Sequence, residues 1–439
     1  MLSSRGTRCA AISDIPWRYA LRQSYNKDTN PDGLISFALA ENIPMRKEIV
    51  KYINEKVTFT EDSVSYGPKP ATTPRLLAAL VAHLQRNFHP VTPVDPQNIL
   101  IANNPTSLGS MLGITLAEPG DGILVSRPMY GRFELDYGLE AGVNIVYADT
   151  DPEEAFSSAV VDKYEIALKE AERRGQKIRA VLLVNPNNPV GRCYPVETLK
   201  AILRFCKQHQ IHLISDEVYG MCGFDSGSPD AVPFTSILSI DLSGLIDPNL
   251  VHMLYGFSKD FASGGLHLGF LISQNKKLLQ ACTALLSVAP SIVLHKNVQK
   301  KVTRLCTDLM ADGLIEDSTR LAASYRLVTS ILDREGIRYV KGGNAGFFIY
   351  IDLSPYLPSS YSEEEEPLST TTSTSSRQPT DQQATKAEFA LAQRLLDAGV
   401  FLHPGEEHGP KRGWFRLVFS QEEDVLRKGL NRMIKALKG

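Results

Sequence analysis

The stretch Ile178-Arg-Ala-Val-Leu-Leu-Val184, followed by Asn185-Pro-Asn-Asn-Pro-Val-Gly191, decides the fold of this 439-residue chain. A largely apolar run that enters a polar turn is typical of a buried parallel strand ending at a loop. The same arrangement recurs twice, with apolar runs at residues 211–214 and 251–255 and polar segments at residues 215–219 and 258–259. The carboxyl ends of parallel strands lie at one edge of a sheet, where ligands bind. The sequence therefore predicts that the three polar segments converge.

The surrounding chain predicts an α/β fold with a mostly parallel, seven-stranded sheet that helices cover on both faces. Four further strand-like runs lie at residues 98–102, 123–126, 144–148 and 268–273, the last expected to be antiparallel. Helix-like stretches separate most of them. One of these begins at Thr73-Pro74, and its leucines recur along a single face, with the proline at the first helical position.

Four polar residues in the converging segments suggest a specific chemistry. A lysine amine such as that of Lys259 can form a Schiff base with an aldehyde cofactor, once it is desolvated enough to lose its proton. A carboxylate, here Asp216, can keep a cofactor's pyridine nitrogen protonated. Asn188 and Tyr219 supply an amide and a phenol that can bind a ring oxygen. Each residue alone also fits a turn, a cap or a solvated loop, so the combination carries the prediction.

With these residues in this order, the chain resembles fold-type I pyridoxal phosphate (PLP) enzymes of the class I/II aminotransferase family. Within that family it is most similar to the 1-aminocyclopropane-1-carboxylate (ACC) synthase-like branch. Four further motifs carry the resemblance, and they are Leu39-Ala-Glu-Asn42, Tyr66-Gly67, Pro128-Met-Tyr130 and Gly413-Trp-Phe-Arg416.

The resemblance implies a role for one residue in each motif. Tyr130 would stack on the pyridine ring, and Tyr66 would reach the cofactor phosphate of a neighbouring subunit, which implies a homodimer with shared active sites. Glu41 would face the substrate. Arg416 would hold the α-carboxylate of an amino-acid substrate, because its planar fork binds a carboxylate through two parallel hydrogen bonds.

Three departures from the family pattern concern the cofactor phosphate. The serine three residues before the lysine is Gly256, the arginine eight residues after it is His267, and the turn that cradles the phosphate contains Pro105, which has no N–H. Thr106 at the start of the following helix and His267 remain as candidate phosphate ligands, and Ser258 is a further candidate cofactor-binding residue. Exchanging arginine for histidine is expected to weaken the cofactor's binding by about tenfold or more.

The resemblance also implies the domain organisation. Residues 1–45 would form an N-terminal arm that packs on the small domain and on a partner subunit, residues 46–300 a large PLP-binding domain, and residues 301–439 a small α+β C-terminal domain. A run of glutamates followed by serines and threonines cannot bury apolar surface. Residues 357–385 are therefore expected to be a disordered insertion.

The composition, with 43% hydrophobic and 22% charged residues, allows a large buried core. A net charge of −2 gives no electrostatic reason to expect nucleic acid or a membrane surface as a partner. The six cysteines lack metal-site spacing and are expected to be reduced thiols, which favours a cytoplasmic protein without a metal. No apolar run is long enough to predict a membrane span. Arg5 and Arg8 leave a short mitochondrial presequence as an open alternative.

The sequence thus predicts PLP-dependent aminotransferase chemistry on an α-amino acid, in specialised metabolism. Elimination of a β or γ substituent, as in a carbon–sulfur lyase, or ACC synthase-type cyclisation stays open as a second reaction. A non-catalytic, degenerate homologue is the alternative of another class. A nicotinamide-dependent dehydrogenase is disfavoured, because residues 101–105 form no glycine-rich turn.

Overall fold

The computed structural model describes residues 1–11, 23–56, 74–288, 318–358, 379–405, 408–409 and 411–439. Three predictions fall at least in part outside these residues: the position of Tyr66, the domain boundary at residue 300, and the central part of the insertion, residues 359–378.

The strands, in chain order, are β1 (Ile35–Ser36), β2 (Ile99–Ala102), β3 (Gly122–Arg127), β4 (Asn144–Asp149), β5 (Ile178–Val184), β6 (His212–Asp216), β7 (Val251–Gly256), β8 (Gly269–Ser273), β9 (Phe348–Asp352), β10 (Val400–Phe401) and β11 (Trp414–Val418). Seven of them form the central sheet in the order β2-β8-β7-β6-β5-β3-β4. Strand β8 is antiparallel to both of its neighbours, and β4, β3, β5, β6 and β7 run parallel. The predicted mostly parallel, seven-stranded sheet is confirmed.

The α-helices are α1 (Ser4–Ala11), α2 (Arg46–Lys56), α3 (Pro74–Asn87), α4 (Pro105–Leu116), α5 (Phe133–Gly138), α6 (Pro152–Ala155), α7 (Val160–Arg173), α8 (Val196–His209), α9 (Phe257–Asp260), α10 (Lys276–Val288), α11 (Ser318–Arg334), α12 (Pro379–Asp397) and α13 (Glu423–Lys438). The predicted helix after Thr73 is confirmed, and its face of leucines is buried.

Strand β5 shows why the sheet is covered on both sides. Its side chains alternate between two apolar cores, with Val181 and Leu183 in one core and Leu182 and Val184 in the other. Residues of α3, α7 and α8 complete the first core, and residues of α4, α5 and α10 complete the second. A strand that is apolar on both faces requires this double cover, because either face alone would expose apolar surface to water.

A third core belongs to the C-terminal part of the chain, where α11 and α13 pack around the antiparallel pair of β9 and β11. The N-terminal segment joins it, because Ile35 pairs with Val400 in a short parallel ladder. One expectation was wrong here. Helix α12 begins at Pro379, inside the segment predicted to be disordered. Proline at the first helical position, followed by glutamines and alanines, favours a helix start at that point.

Among the described residues, no helix combines the length and the apolar character that crossing a bilayer requires. The described cysteines, Cys9, Cys193, Cys206, Cys222 and Cys282, are free thiols. The same part of the chain contains no group of three or more histidine, cysteine or acidic side chains placed to hold a metal ion.

Candidate active site

The three polar segments meet at one edge of the sheet, together with β11 of the C-terminal part. Asn188 follows β5, Asp216 ends β6, and Lys259 lies in α9 directly after β7. Arg416 of β11 is 4% exposed, and its Nη1 donates to the Asn188 side-chain oxygen at 3.0 Å. The site is therefore built between the large sheet and the C-terminal core.

Lys259 lies in a one-turn helix, whereas the sequence suggested a loop. Its amine donates to the Ala40 carbonyl at 2.7 Å and lies 5.8 Å from the centre of the Tyr219 ring. Burial, followed by the positive charge of Arg416, lowers the pKa of Lys259 to about 8. Glu41 acts in the opposite direction. An amine with this pKa is partly unprotonated near neutral pH, as a nucleophile or base requires.

Asp216 is buried, and the Val218 backbone N–H donates to its carboxylate at 3.3 Å. Burial and, to a smaller extent, the nearby charge of Asp136 raise the pKa of Asp216 to about 7. The Tyr137 hydroxyl in the same region is buried without a hydrogen-bond partner among the described residues. A buried carboxylate that accepts one backbone hydrogen bond is suited to a cationic partner such as the protonated ring nitrogen of PLP.

Two tyrosines flank this carboxylate. Tyr219 is 3% exposed and packs edge-on against the rings of Phe347 and Phe348 at 5.6 and 5.0 Å. Burial raises its pKa well above the usual range, so Tyr219 remains a neutral phenol. Tyr130 is half-buried and meets Phe133 edge-on at 5.2 Å, which fixes the plane of its ring. Both rings pack edge-on against phenylalanine rings.

At the predicted phosphate end, Asn104 caps helix α4. Its side-chain oxygen accepts from the Ser107 N–H at 2.7 Å and from the Ser107 hydroxyl at 3.0 Å. The amide nitrogen of Asn104 must then face His267, whose Nδ1 lies 3.0 Å away. Because that amide nitrogen donates, Nδ1 of His267 accepts, and the ring proton lies on Nε2. His267 can thus present an Nε2–H to an anion at the start of α4.

Two of the three departures from the family pattern touch each other. A side-chain carbon added at Gly256 would lie 3.3 Å from the Pro105 ring and 2.9 Å from the Leu268 carbonyl oxygen. The Leu268 carbonyl oxygen is thus the nearer obstacle to a side chain at position 256, and the Pro105 ring is a second, less close one. The loss of the serine and the gain of the proline meet at this one crowded position.

An acidic residue also lies near this end. The Thr106 hydroxyl donates to a carboxylate oxygen of Asp136 at 3.4 Å. Burial raises the pKa of Asp136 to about 6. Neither Asp136 nor the cap formed by Asn104 was predicted from the sequence. An asparagine directly before Pro-Thr-Ser is a helix-cap signal that could have identified Asn104.

The Leu39-Ala-Glu-Asn42 motif passes the site in a tight turn, in which the Glu41 N–H donates to the Leu39 carbonyl at 3.0 Å. The Ala38 carbonyl accepts from Nη2 of Arg416 at 2.5 Å, and the Ala40 carbonyl accepts from Lys259. The carboxylate of Glu41 forms an ion pair with Arg46. Glu41 is close enough to Lys259 to affect the pKa of its amine, as noted above, and its predicted contact with a substrate stays a prediction.

The structure thus brings together Lys259, Asp216, Asn188, Tyr219 and Arg416, as the sequence predicted. Their roles remain predictions, and Tyr66 lies outside the described residues. The residues that are present fit PLP at the ring end through Asp216 and at the phosphate end through α4. Fold and site together define a PLP-dependent enzyme of fold type I.

The family can be stated directly. The profile of the family "Aminotransferase class I and II" matches residues 43–433, so the chain belongs to this family. Enzymes of this family depend on PLP.

Curated relatives cover most of the chain. It is 30% identical over 467 residues to human 1-aminocyclopropane-1-carboxylate synthase-like protein 1, covering 100% of this chain and 83% of the relative. It is 29% identical over 415 residues to a probable aminotransferase, aclI, of Aspergillus oryzae, covering 91% and 90%. It is also 29% identical over 433 residues to a mouse protein named probable inactive 1-aminocyclopropane-1-carboxylate synthase-like protein 2, covering 94% and 67%.

Solved structures share the fold. A double mutant of Thermus thermophilus aspartate aminotransferase superposes with a TM-score of 0.70 at 22% identity, covering 92% of this chain and 91% of that one. The aromatic aminotransferase of Pyrococcus horikoshii gives a TM-score of 0.72 at 20% identity, with coverages of 94% and 96%. At this level of identity the likeness establishes the fold and leaves the substrate open.

Proposed function

We propose that this protein is a PLP-dependent aminotransferase that acts on an α-amino acid. The observation that carries the proposal is the amine of Lys259, whose pKa is lowered to about 8. The buried carboxylate of Asp216 and the guanidinium of Arg416 lie near enough to this amine to affect its pKa. A base, a carboxylate for a cationic ring and a carboxylate-binding arginine are the groups that this reaction needs.

PLP, when bound, withdraws electrons from the α-carbon of the amino acid and so makes its proton removable. Lys259 takes that proton and returns it, because its amine can be unprotonated near neutral pH while staying inside the pocket. Asp216 holds the ring nitrogen in its protonated state. Asn188 and Tyr219 bind the ring oxygen as neutral donors in this proposal.

Arg416 holds the α-carboxylate of the substrate. Its two terminal nitrogens now bind the Asn188 side chain and the Ala38 carbonyl. A substrate carboxylate can replace the Ala38 carbonyl at Nη2, while the Asn188 contact at Nη1 keeps the guanidinium plane in place. The arginine therefore fixes the α-carbon relative to Lys259.

Elimination or ACC synthase-like cyclisation is a second candidate. The likeness to proteins named ACC synthase-like and the position of Glu41 beside Lys259 favour it. A non-catalytic homologue is the third candidate, since a relative is named probably inactive. The homodimer with shared sites, the cytoplasmic location and the place in specialised metabolism are part of the proposal.

Reductive labelling tests the proposal first. The purified chain is incubated with PLP, treated with borohydride and mapped by mass spectrometry, with the Lys259→Ala variant as the control. We expect a pyridoxyl group on Lys259. Absence of label there would contradict the proposal and favour the non-catalytic homologue.

Product analysis then separates the two reactions. Candidate amino acids are added with and without a keto-acid acceptor. Transamination predicts that sustained keto-acid release requires the acceptor and that an amine form of the cofactor accumulates without it. Release of ammonia or a thiol without an acceptor would instead establish elimination.

A further inference from the structure

A chain of buried polar side chains lies behind Lys259 and has no part in the chemistry proposed above. Its members are His83 of α3, Tyr255 of β7, Asp260 of α9 and Cys222 after β6, each at most 3% exposed. Three aromatic rings, those of Phe88, Phe257 and Phe261, surround His83. Polar groups that are this deeply buried in an apolar core must satisfy one another.

The hydrogen bonds run in one direction, towards Asp260. The Tyr255 hydroxyl donates to one carboxylate oxygen at 2.7 Å, and the Cys222 thiol donates to the other at 3.0 Å. The backbone N–H of Met221 lies 3.3 Å from the same carboxylate. Because the tyrosine proton is used on Asp260, Nε2 of His83 must donate to the tyrosine oxygen across 2.9 Å.

The hydrogen bonds of His83, at the other end of this series of side chains, run in the same direction. Nδ1 of His83 faces the amide nitrogen of Asn87 at 3.3 Å, so Nδ1 accepts and Nε2 carries the proton. Burial lowers the pKa of His83 to about 3, so the ring is neutral. The donors of His83, Tyr255 and Cys222 thus all lead, directly or through Tyr255, to the carboxylate of Asp260.

That carboxylate belongs to the residue directly after Lys259. Helix α9 is a single turn and would have few constraints of its own. Through Asp260 it is tied to α3, to β7 and to the turn after β6. The Cys222 thiol also lies near enough to the active site to affect the pKa of both Lys259 and Tyr219.

We propose that Asp260 is a positioning residue for Lys259, oriented by Tyr255, Cys222 and, through Tyr255, His83. Its carboxylate locks the one-turn helix so that the lysine amine points into the pocket at Ala40. The inference rests on the proposed function of Lys259, and it adds a residue that touches neither cofactor nor substrate.

The position of the one-turn helix that carries Lys259 should depend on pH through the charge state of Asp260. Burial raises the pKa of Asp260 to about 7, while the donors from Cys222, Tyr255 and Met221 lower it. Above that pH the carboxylate accepts from all three donors. As the pH falls through 7 it gains a proton, loses part of its accepting capacity and loosens the turn that carries Lys259.

The test compares two tyrosine variants in the full-length chain. Tyr255→Phe removes the hydroxyl that donates to Asp260, and Tyr164→Phe removes an equally buried hydroxyl whose partner is Ser126 at 3.3 Å. The readout is the initial rate of borohydride-trapped PLP labelling at Lys259. We expect about a tenfold loss for Tyr255→Phe and less than about twofold for Tyr164→Phe. Equal effects of the two changes would overturn the proposal.

A pH profile separates positioning from a general loss of packing. In the wild type, Asp260 and Lys259 must both be unprotonated, so the logarithm of the labelling rate should rise more steeply below pH 7 than above it. In the Asp260→Asn variant, the slope of the logarithm of the rate against pH should be smaller by about one below pH 7. An unchanged slope in that variant would contradict the role of Asp260. If the wild type itself carries no label, the proposed function fails instead.

Discussion

The two ends of the candidate site differ in how closely their residues match the family pattern. At the ring end, Lys259, Asp216, Asn188 and Arg416 match the family pattern and lie within reach of one another. At the phosphate end, the expected serine and arginine are absent. In the proposed function the ring end performs the proton-transfer steps, so its groups are constrained by that chemistry. The phosphate end only anchors the cofactor, and several sets of neutral donors can do that.

The substitutions at the phosphate end are also coupled to one another. Pro105 fills the space beside Gly256, and Asn104 binds His267 at 3.0 Å. Random loss of function would remove contacts without replacing them. Here each departure has a contacting partner, which favours a rebuilt anchor over a degenerate one. The predictions below test this contrast, from the largest expected effect to the smallest.

The ring end should depend on Lys259 above all. Lys259→Ala should lower turnover by about 10³-fold or more, because it removes the proton-transferring group. Steady-state assays with the amino acid identified by product analysis measure this effect. The exposed Lys277→Ala is the matched control and should leave turnover unchanged. A comparable loss in both variants would mean that the ring end is not specialised in this way.

Arg416 should follow as the substrate's anchor. Arg416→Lys keeps the charge and loses the planar fork, so kcat/KM should fall by about 10²-fold, mostly through KM. Arg427→Lys on the exposed surface of α13 serves as the control. A fall in kcat with an unchanged KM would contradict the assignment of Arg416 to carboxylate binding.

These two residues also show how far the sequence could predict the site. Lys259 and Arg416 were predictable because each lies in a local motif whose chemistry can be inferred from residue types and spacing alone. Asp260, Tyr255 and His83 were not, because their hydrogen bonds join positions as much as 172 residues apart, and each residue alone has an ordinary core explanation. The sheet was predictable from apolar runs, since buried strands require them. The start of α12 was not, because it follows directly on a serine- and threonine-rich tract.

Asp216 gives a test of the ring end through stability. Its pKa is raised to about 7 in the folded chain, above the value near 4 of an unfolded aspartate. The folded state then binds the proton more tightly, so the free energy of unfolding falls as the pH rises from about 4 to 7, by up to ~1.4 kcal/mol per pH unit. Asp216→Asn should remove this component of the slope in PLP-free protein.

Urea unfolding at pH 5 and pH 7.5 measures the change in slope. The exposed Asp162→Asn is the control and should keep the wild-type slope. Bound PLP should also reduce the slope in the wild type, because a cationic ring nitrogen keeps Asp216 ionised. If the slopes of Asp216→Asn and wild type coincide, the pKa of Asp216 is not raised in the folded protein, and this account of the ring end is contradicted.

The phosphate end should respond to a restored arginine. His267→Arg supplies a permanent charge and a fork for the phosphate, and it gives up the bond to Asn104. PLP should bind up to about tenfold more tightly, as measured by fluorescence titration. His89→Arg is a close control, since His89 is also exposed and has a left-handed backbone, with φ of 47° against 49° for His267. Weaker binding in His267→Arg would show that the Asn104 contact matters more than charge.

The coupled pair of Pro105 and Gly256 should affect stability more directly than turnover. Gly256→Ser alone places its side chain against the Pro105 ring and the Leu268 carbonyl, so we expect a loss of ~1–3 kcal/mol in unfolding free energy. Pro105→Gly removes one of those two obstacles and should recover part of the loss when combined with Gly256→Ser. A double-mutant cycle measures the interaction, and two strictly additive single effects would mean that these departures arose independently. The recovered serine hydroxyl should then also improve PLP binding in the double variant, which packing relief alone would not do.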